Sequence, residues 1–420
     1  MLERYFVKYQ TVDRIRACWL GAAIERYVEW LEQEGYAQRN VCRRVPLLCH
    51  FAQFAEERGA ASLEQATTLV EEFAEHWMTE HAHDGMSLAA QRRLAEEARN
   101  PVNQLLHLQL PDYAGGGRPV RPDPFVDEAP GFFTHLREER GLKGSSIDHY
   151  RHYLNRFAAF LTRHQITSLR ALSVAILAAF VVDSAPALSR NSRRNLCGTM
   201  KVFLRYCHRE RLVAVDLSAA VEMPQAYRLA ELPRSISWDE VRQMFAVVDR
   251  RSPKGIRDYA ILLLLVTYGL RAHEVAALTL DDLDWSRDRL CVPERKAGHW
   301  TVYPLASVVG EAIVAYLQQV RPTTADRHLF FRVLAPVQPL RATAIAQSVG
   351  SYLHRAGIAV RRAGSHTLRH TCVQRLVDAD VSLKVIGDYV GHRSPSSTEI
   401  YAKVATEALR GVALGDGEDL

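Results

Sequence analysis

A constant shift of 106 residues aligns two stretches in the N-terminal half of the chain, and this repeat limits the fold more than any other feature. The shift pairs Gly35 with Gly141 and continues without a gap for dozens of residues. The other matched pairs are mostly apolar residues at helical spacing: Val41 with Ile147, Leu48 with Leu154, Phe51 with Phe157, Phe54 with Phe160, Ser62 with Ser168, Leu63 with Leu169 and Val70 with Ile176. Apolar residues that recur every three or four positions form one face of an α-helix, so the repeat predicts two similar helical domains.

Two linkers rich in glycine and proline divide the chain. The first, residues 113–124, holds three glycines and three prolines, and the second, roughly 223–237, holds Pro224 and Pro233. Such clusters between periodic segments mark loops or domain boundaries. We therefore predict three domains, which agrees with the number expected for 420 residues. Their bounds are 1–112 for a helical domain, 125–222 for its repeat and 235–420 for the last domain.

Patterning in the third domain predicts helices around one small β-hairpin. Ser237 and Glu240 have the Ser-x-x-Glu spacing of a helix capping box. An apolar run at 256–269 predicts a buried helix, whereas residues 289–305 alternate and predict a hairpin with Lys296 near its tip. The predicted fold class is thus mainly α, with a small β-hairpin or sheet in the last domain.

Composition indicates an ordinary soluble protein, with 48% hydrophobic and 24% charged residues. A net charge of +5 is compatible with a polyanionic partner. The seven cysteines form no CxxC motif, which argues against a disulfide framework or a zinc site and favours a reducing cytoplasm. The most apolar run, residues 260–266, is too short to span a bilayer, and the N-terminus has no signal-peptide pattern, so we expect a cytoplasmic protein without a membrane partner.

The second repeat ends in a strongly basic segment, residues 190–211, with Glu210 as its one acidic residue. An apolar stripe along the same segment requires much of the positive charge to face outward. Either this face is an ordinary solvated surface or it contacts phosphate groups of a nucleic acid. The candidate DNA-binding residues are Arg190, Arg193, Arg194, Lys201 and Arg205.

Six side chains in the last 150 or so residues form one chemical set. They are Arg271 in YGLRAHE, Lys296 in ERKAGHW, His366 and Arg369 in HTLRH, His392 in VGHRS and Tyr401 in EIYAK. The pKa of a tyrosine phenol is near 10, so it becomes a useful nucleophile only where cations surround the phosphate that it attacks. Two arginines can hold the non-bridging oxygens of a phosphodiester. A lysine on a hairpin can protonate the leaving oxygen.

His366 and His370 are four residues apart and could instead bind a metal ion. Arg369 between them argues against a metal site, because a cation beside a metal ion is unfavourable, and no glutamate accompanies the pair. The chain also has no GxxxxGK[ST] phosphate loop. The sequence motifs therefore favour neither a metal site nor a nucleotide-binding loop.

The same residues resemble those of the tyrosine recombinase, or phage integrase, family over roughly residues 235–406. The stretch HTLRHTCVQRLVDADVSLKVIGDYVGHRSPSSTEIYAKV is similar to the family's His-x-Leu-Arg-His box, Gly-His pair and nucleophilic tyrosine in order and spacing. The stretch VTYGLRAHEVAALTLDDLDW is similar to its Gly-Leu-Arg box, with Glu274 as the supporting glutamate. Two positions depart from the pattern: His273 stands where serine is frequent, and Lys296 lies in Arg-Lys-Ala-Gly rather than Gly-Lys-Gly.

The resemblance implies a set of roles and a mechanism that uses neither a cofactor nor a metal ion. Tyr401 would attack a phosphate of double-stranded DNA, form a 3′-phosphotyrosine bond and release a 5′-hydroxyl. Strand exchange would pass through a Holliday junction held by a tetramer on paired sites, composed of identical chains or of sister recombinases. Glu274 and His370 would support the six catalytic residues. Residues 125–222 would be the family's helical, SAM-like core-binding domain, and 1–112 an extra domain of the same type.

Two alternatives remain open at this point. A DNA-relaxing topoisomerase of the related single-strand-cleaving class uses similar residues but acts as a monomer without a special site. A non-catalytic DNA-binding helper of a recombinase would bind DNA without cleaving it. The predicted function is site-specific strand exchange, in the integration, excision or transposition of a mobile element.

Overall fold

The computed structural model of the chain describes residues 1–115, 123–225, 235–293 and 300–391. The chain divides into two compact units, one of Met1–Gly116 with Glu231–Leu420 and one of Gly117–Ala230. Within the described ranges the structure is mainly helical with one small antiparallel sheet, which confirms the predicted fold class. None of the described helices is both long enough and apolar enough to cross a membrane.

The N-terminal segment, residues 1–115, is built from helices that share one hydrophobic cluster, with Tyr27, Phe51 and Phe73 at its centre. Ser62 and Ser87 cap two of these helices through their side-chain oxygens, which accept backbone N–H groups of the first turn. The helices are α1 (Tyr9–Ala17), α2 (Gly21–Gln33), α3 (Gln38–Glu57), α4 (Leu63–Ala66), α5 (Val70–His81) and α6 (Leu88–Gln109).

The middle segment, residues 123–225, has a separate hydrophobic cluster around Phe132, Phe157 and Phe203. Its helices are α7 (Phe132–Glu138), α8 (Gly144–Arg163), α9 (Val174–Ser184) and α10 (Arg190–Arg209). Helices α3 and α8 are both 20 residues long, and their first residues differ by 106 (144 minus 38). The helix bounds therefore follow the shift that defines the sequence repeat.

The C-terminal segment, described at 235–293 and 300–391, packs around α12, whose apolar residues lie in a third hydrophobic cluster. Its elements are α11 (Trp238–Ala246), α12 (Pro253–Tyr268), α13 (Ala272–Ala277), β1 (Leu283–Asp284), β2 (Arg289–Val292), β3 (Thr301–Pro304), α14 (Ser307–Gln319), α15 (Ala342–Arg355), α16 (Ser365–Asp378) and α17 (Leu383–Val390). The strands form an antiparallel sheet in the order β1-β2-β3, in which Leu290 pairs with Tyr303.

Three local predictions for this segment are confirmed. The Ser237 side chain accepts the Glu240 backbone N–H at 3.2 Å, and the Glu240 carboxylate accepts the Ser237 N–H at 2.7 Å, as a capping box requires. The apolar helix predicted at 256–269 is α12, which begins at Pro253. The predicted hairpin is formed by β2 and β3. Lys296, at its predicted tip, lies outside the described residues.

Candidate active site

A tight turn after α12 brings the first predicted arginine into position. The helix ends at Tyr268, and Gly269 follows with φ +61°, a left-handed conformation that glycine adopts without strain. A Cβ atom on Gly269 would lie 3.0 Å from Val390 Cγ1 and 3.2 Å from Cys372 Sγ. Glycine therefore lets the turn pack closely against α16 and α17, two residues before Arg271.

Arg271 is held by a buried glutamate. Its Nη1 donates to Glu274 Oε1 at 2.7 Å, and its backbone N–H donates to Glu274 Oε2 at the same distance. Glu274 is only 4% exposed, so this carboxylate is shielded from water and its ion pair with Arg271 is screened little. The Nη2 of Arg271 donates to the carbonyl of Gly391 at 3.0 Å. The guanidinium is thus oriented from both sides.

Arg369 lies on α16 and is 4% exposed. Its Nη1 donates to the carbonyl of Gly269 at 2.5 Å, and its Nη2 donates to the carbonyl of Val390 at 2.6 Å. The two predicted arginines therefore bind consecutive carbonyls, those of Val390 and Gly391, at the C-terminal end of α17. The next residue of the chain is His392, which lies outside the described residues.

The two histidines of the HTLRH stretch lie on the same helix as Arg369. His366 is exposed and His370 is half-buried, and their ring centroids are 6.4 Å apart. His366 is the second residue of α16 and lies one helical turn before Arg369. Residues three apart in a helix share a face, so the exposed imidazole of His366 lies on the same side of α16 as Arg369.

Tyrosine hydroxyls fix the root of the β-hairpin to the end of α12. Tyr268 donates to the carbonyl of Pro304 at 3.0 Å and accepts the N–H of Ala306 at 2.9 Å. Burial raises the pKa of Tyr268, so this phenol stays protonated as a donor. Tyr303 donates to the carbonyl of Tyr389, next to Val390. The base of the hairpin therefore lies beside both arginines, and Lys296 belongs to the same hairpin in the sequence.

The described structure thus brings Arg271 and Arg369 together, with His366 on the helix of the second arginine. Lys296, His392 and Tyr401 lie outside the described residues. Sequence reasoning missed the tyrosines that fix the hairpin and the carbonyls that hold the arginines. A backbone carbonyl occurs at every residue and carries no sequence signal. In the sequence, Tyr268 and Tyr303 stand out only as residues of an apolar face whose side chains end in a hydroxyl group.

The predicted basic face belongs to α10. The apolar stripe predicted for this helix is buried, as expected: Leu196, Met200, Phe203, Leu204 and Cys207. Arg190, Arg194 and Arg205 are exposed, whereas Arg193 and Lys201 are half-buried. A cavity of about 500 Å³ between α8 and α10 is lined by Arg194 together with His149, Tyr150 and Tyr153. Arginine stacks on aromatic faces and suits the recognition of phosphate groups.

Comparison with known proteins places these features in one family. Residues 234–408 match the model of the phage integrase family, and residues 130–211 match that of the phage integrase N-terminal SAM-like domain. A Sinorhizobium fredii protein named as an integrase/recombinase, y4rF, is 30% identical over 428 residues, which cover 99% of this chain and 95% of the relative. The tyrosine recombinase XerD of Mycobacterium tuberculosis is 29% identical over 300 residues, which cover 68% of this chain and 95% of XerD.

A solved structure of a lambda integrase tetramer bound to a Holliday junction has a similar fold, with a TM-score of 0.54 at 16% identity. The likeness covers 75% of this chain and 88% of that one. The chain belongs to the phage integrase family of tyrosine recombinases, enzymes that break and rejoin DNA in site-specific recombination. Membership in this family does not favour the topoisomerase or the non-catalytic helper.

Proposed function

We propose that this recombinase exchanges strands of double-stranded DNA through a covalent bond to Tyr401. The observation that carries the proposal is the convergence of Arg271 and Arg369 on the carbonyls of Val390 and Gly391. Two oriented guanidiniums offer bidentate donors to the non-bridging oxygens of one phosphate. They also stabilise the extra charge of the pentacoordinate transition state.

The proposed step conserves bond energy. The Tyr401 oxygen forms a bond to phosphorus while the bond from phosphorus to the 5′-oxygen breaks, and the phenol proton passes to a histidine of the site, His366 or His392. Lys296 supplies a proton to the departing 5′-oxygen. The 5′-hydroxyl of a partner strand then attacks the phosphotyrosine bond and regenerates Tyr401. The positive charges come from side chains of this chain, with Glu274 orienting Arg271 and His370 lying beside Arg369 on α16.

We further propose three domains at 1–112, 125–222 and 235–420, of which the second holds DNA through α10 with the candidate residues Arg190, Arg193, Arg194, Lys201 and Arg205. A helix with this excess of positive charge and an aromatic cavity beside it supports phosphate contact.

We propose a tetramer of identical or sister recombinases on two paired sites, in line with the tetramer seen for lambda integrase. The substrate is then the end of a mobile element, in line with the integrase/recombinase relative.

A covalent-capture experiment tests the nucleophile. The full chain is incubated with a pool of randomised duplexes that each carry one nick, so that a cleaved strand loses its 5′-hydroxyl fragment and cannot be rejoined. SDS-resistant protein–DNA adducts are isolated, and the attached DNA ends and the modified peptide are sequenced. We expect one selected DNA sequence, joined by a 3′-phosphate to Tyr401.

Two substitutions provide the controls. Tyr401→Phe should abolish the adduct, whereas Tyr9→Phe, at a side chain that is 78% exposed on α1, should leave its yield unchanged. An adduct that persists in Tyr401→Phe would show that the nucleophile is wrong. Adducts without any sequence preference, together with relaxation of supercoiled DNA by the monomer, would overturn the proposal of site-specific exchange.

A further inference from the structure

A short loop of the C-terminal segment projects toward the N-terminal segment, and both belong to the first compact unit. The loop, residues 332–338, is closed at its base by an antiparallel bridge between Phe331 and Pro339. The N–H of Arg332 also donates to the carbonyl of Gln338 at 2.9 Å. These bonds give the loop a defined shape, like the end of a small hairpin.

A buried polar network anchors the base of this loop. Arg257 donates to the carbonyl of Phe331 at 3.1 Å and, through Nε and Nη2, to Asp258 Oδ1 at 2.9 and 2.6 Å. The Tyr352 hydroxyl donates to the second oxygen of Asp258 at 3.1 Å, and the Phe331 N–H donates to Tyr316 at 3.0 Å. Arg257 and Asp258 are 5% and 1% exposed, so the pair is buried in the protein. It holds the loop base in one position.

The loop contacts the turn between α2 and α3. The N–H of Val337 donates to the carbonyl of Glu34 at 3.2 Å. Gly35 has φ +76°, and a Cβ atom built on it would lie 3.0 Å from Val337 Cγ2. Ala335 packs against the hydrophobic cluster of the N-terminal segment. A hydrogen bond, a close approach at a glycine and an apolar contact therefore join the two segments.

The two repeats differ in the contacts that this glycine turn makes. Gly141, the repeat equivalent of Gly35, also has a positive φ of +58°, but its built Cβ meets no atom of the described residues within 4 Å. The two copies differ in charge as well. Helix α10 carries six arginines and lysines and no acidic residue, whereas α6, its counterpart in the first copy, carries three arginines and two glutamates. Arg99 on α6 is also paired with Glu71 at 2.5 Å.

The contact lies far from the arginine site. Arg257, which anchors the loop, is near the start of α12, and Gly269, which binds Arg369, follows its end. Twelve residues separate them (269 minus 257) and span about 18 Å of helix. The loop that contacts the N-terminal segment is therefore anchored at the opposite end of α12 from the carbonyl that Arg369 binds.

We propose that the 332–338 loop is a docking arm that holds the N-terminal segment of the same chain on the C-terminal segment through the Gly35 turn. The first repeat thus has a turn that fits this loop and a less basic helix, α6, where the second repeat has α10. It is carried as a fixed body on the C-terminal segment, whereas residues 123–225 form the separate unit.

A matched pair of substitutions in the full chain tests the docking arm. Gly35→Ala adds a Cβ at a positive φ and forces it against Val337, whereas Gly59→Ala adds a Cβ at φ +79° with no described atom within 4 Å. The backbone strain is thus matched, and the contact with the loop differs. We expect amide hydrogen exchange of residues 332–338 to rise at least about tenfold in Gly35→Ala and to stay near wild type in Gly59→Ala. Adding Val337→Ala to Gly35→Ala removes the Cγ2 atom and should restore most of the protection.

Disulfide trapping distinguishes docking within one chain from docking between two copies. The hydrogen bond from the Val337 N–H to the Glu34 carbonyl at 3.2 Å brings the two backbones together, and a disulfide requires Cα atoms roughly 4.4–6.8 Å apart. The Glu34→Cys/Val337→Cys variant should cross-link on mild oxidation at monomer mass, and either single cysteine variant should not. A cross-linked dimer would overturn docking within the chain. Equal exchange in Gly35→Ala and Gly59→Ala, or no rescue by Val337→Ala, would overturn the contact itself. The inference does not depend on Tyr401, because none of these readouts requires DNA cleavage.

Discussion

Arg369 donates through both terminal nitrogens to backbone carbonyls, those of Gly269 and Val390, and this geometry determines what a substitution would cost. Lysine keeps the charge but presents a compact ammonium that cannot bind both carbonyls and a phosphate together. We predict that Arg369→Lys lowers the rate of adduct formation on the selected DNA site by about 10²–10³-fold, the usual cost of losing one oriented donor at a developing charge. Single-turnover cleavage measures this rate.

The control for Arg369→Lys is Arg362→Lys, at an exposed position just before α16. That variant should cleave at the wild-type rate. A comparable loss in both variants would mean that the effect is not specific to the position of the Arg369 guanidinium.

Glu274 accepts two N–H groups of Arg271 while it is nearly excluded from solvent. Glutamine at this position has one oxygen and would turn an N–H₂ group toward a donor, which leaves a buried polar group unpaired. We predict that Glu274→Gln lowers the free energy of unfolding by about 1–3 kcal/mol and also slows cleavage. Denaturant unfolding and adduct formation measure the two effects. Glu311→Gln, on the exposed face of α14, should change neither, and a stable Glu274→Gln enzyme with wild-type cleavage would contradict the prediction.

At the residue scale, the sequence predicts which side chains form the site better than it predicts the backbone groups that these side chains bind. The family resemblance implies that Glu274 supports Arg271, and in the structure these two side chains form an ion pair at 2.7 Å. The carbonyls of Gly269, Val390 and Gly391 could not be predicted, since their role depends on how α12, α16 and α17 pack. Charge and spacing along a chain report on side-chain chemistry, whereas a carbonyl becomes a specific acceptor only through tertiary structure.

At the scale of elements, two arginines of α10 differ in the groups that surround them. Arg194 is exposed beside the aromatic cavity, while Arg209 on the same helix donates to Glu139 at 2.9 Å and to Glu210 at 2.8 Å. We predict that Arg194→Ala weakens binding to a duplex of fixed arbitrary sequence and lowers the slope of log affinity against log salt by about 0.9, as expected for one lost phosphate contact. Fluorescence anisotropy at several salt concentrations measures the slope.

Arg209→Ala is the matched control, because its positive charge is already balanced by two carboxylates. The slope should stay at the wild-type value in this variant. If both substitutions lowered the slope equally, the helix would act through its summed charge, and the proposed phosphate contact of Arg194 would lose its support.

Helices and strands could be predicted where interactions between residues near each other in the sequence determine them. Alternation predicts the β2–β3 hairpin, and the spacing of Ser237 and Glu240 predicts the capping box. The true start of α12 was predictable too, because the Ser252 side chain accepts the Gly255 N–H at 3.1 Å and Pro253 occupies the first turn, a favourable combination for a helix start. The apolar run alone places that start three residues late, at Ile256.

At the scale of the molecule, the loop that joins the N-terminal and C-terminal segments had no signal in the sequence. Glu34 and Val337 are 303 residues apart (337 minus 34), and they meet through a backbone hydrogen bond. Neither residue type is unusual at a loop tip. Linker composition predicts where a chain divides, but it does not predict which of the resulting pieces pack together.

The separate hydrophobic clusters make a further prediction about stability. Phe203 is fully buried in the cluster of residues 123–225, and Phe330 is fully buried in that of the C-terminal segment. Because a cavity destabilises the cluster in which it lies, Phe203→Ala should lower the local free energy of opening by about 3–5 kcal/mol within 123–225 only. Amide exchange by mass spectrometry should then rise in that range and stay unchanged in 235–391, and Phe330→Ala should give the reverse pattern. Exchange that rises across both ranges in either variant would mean that the two units unfold as one cooperative body.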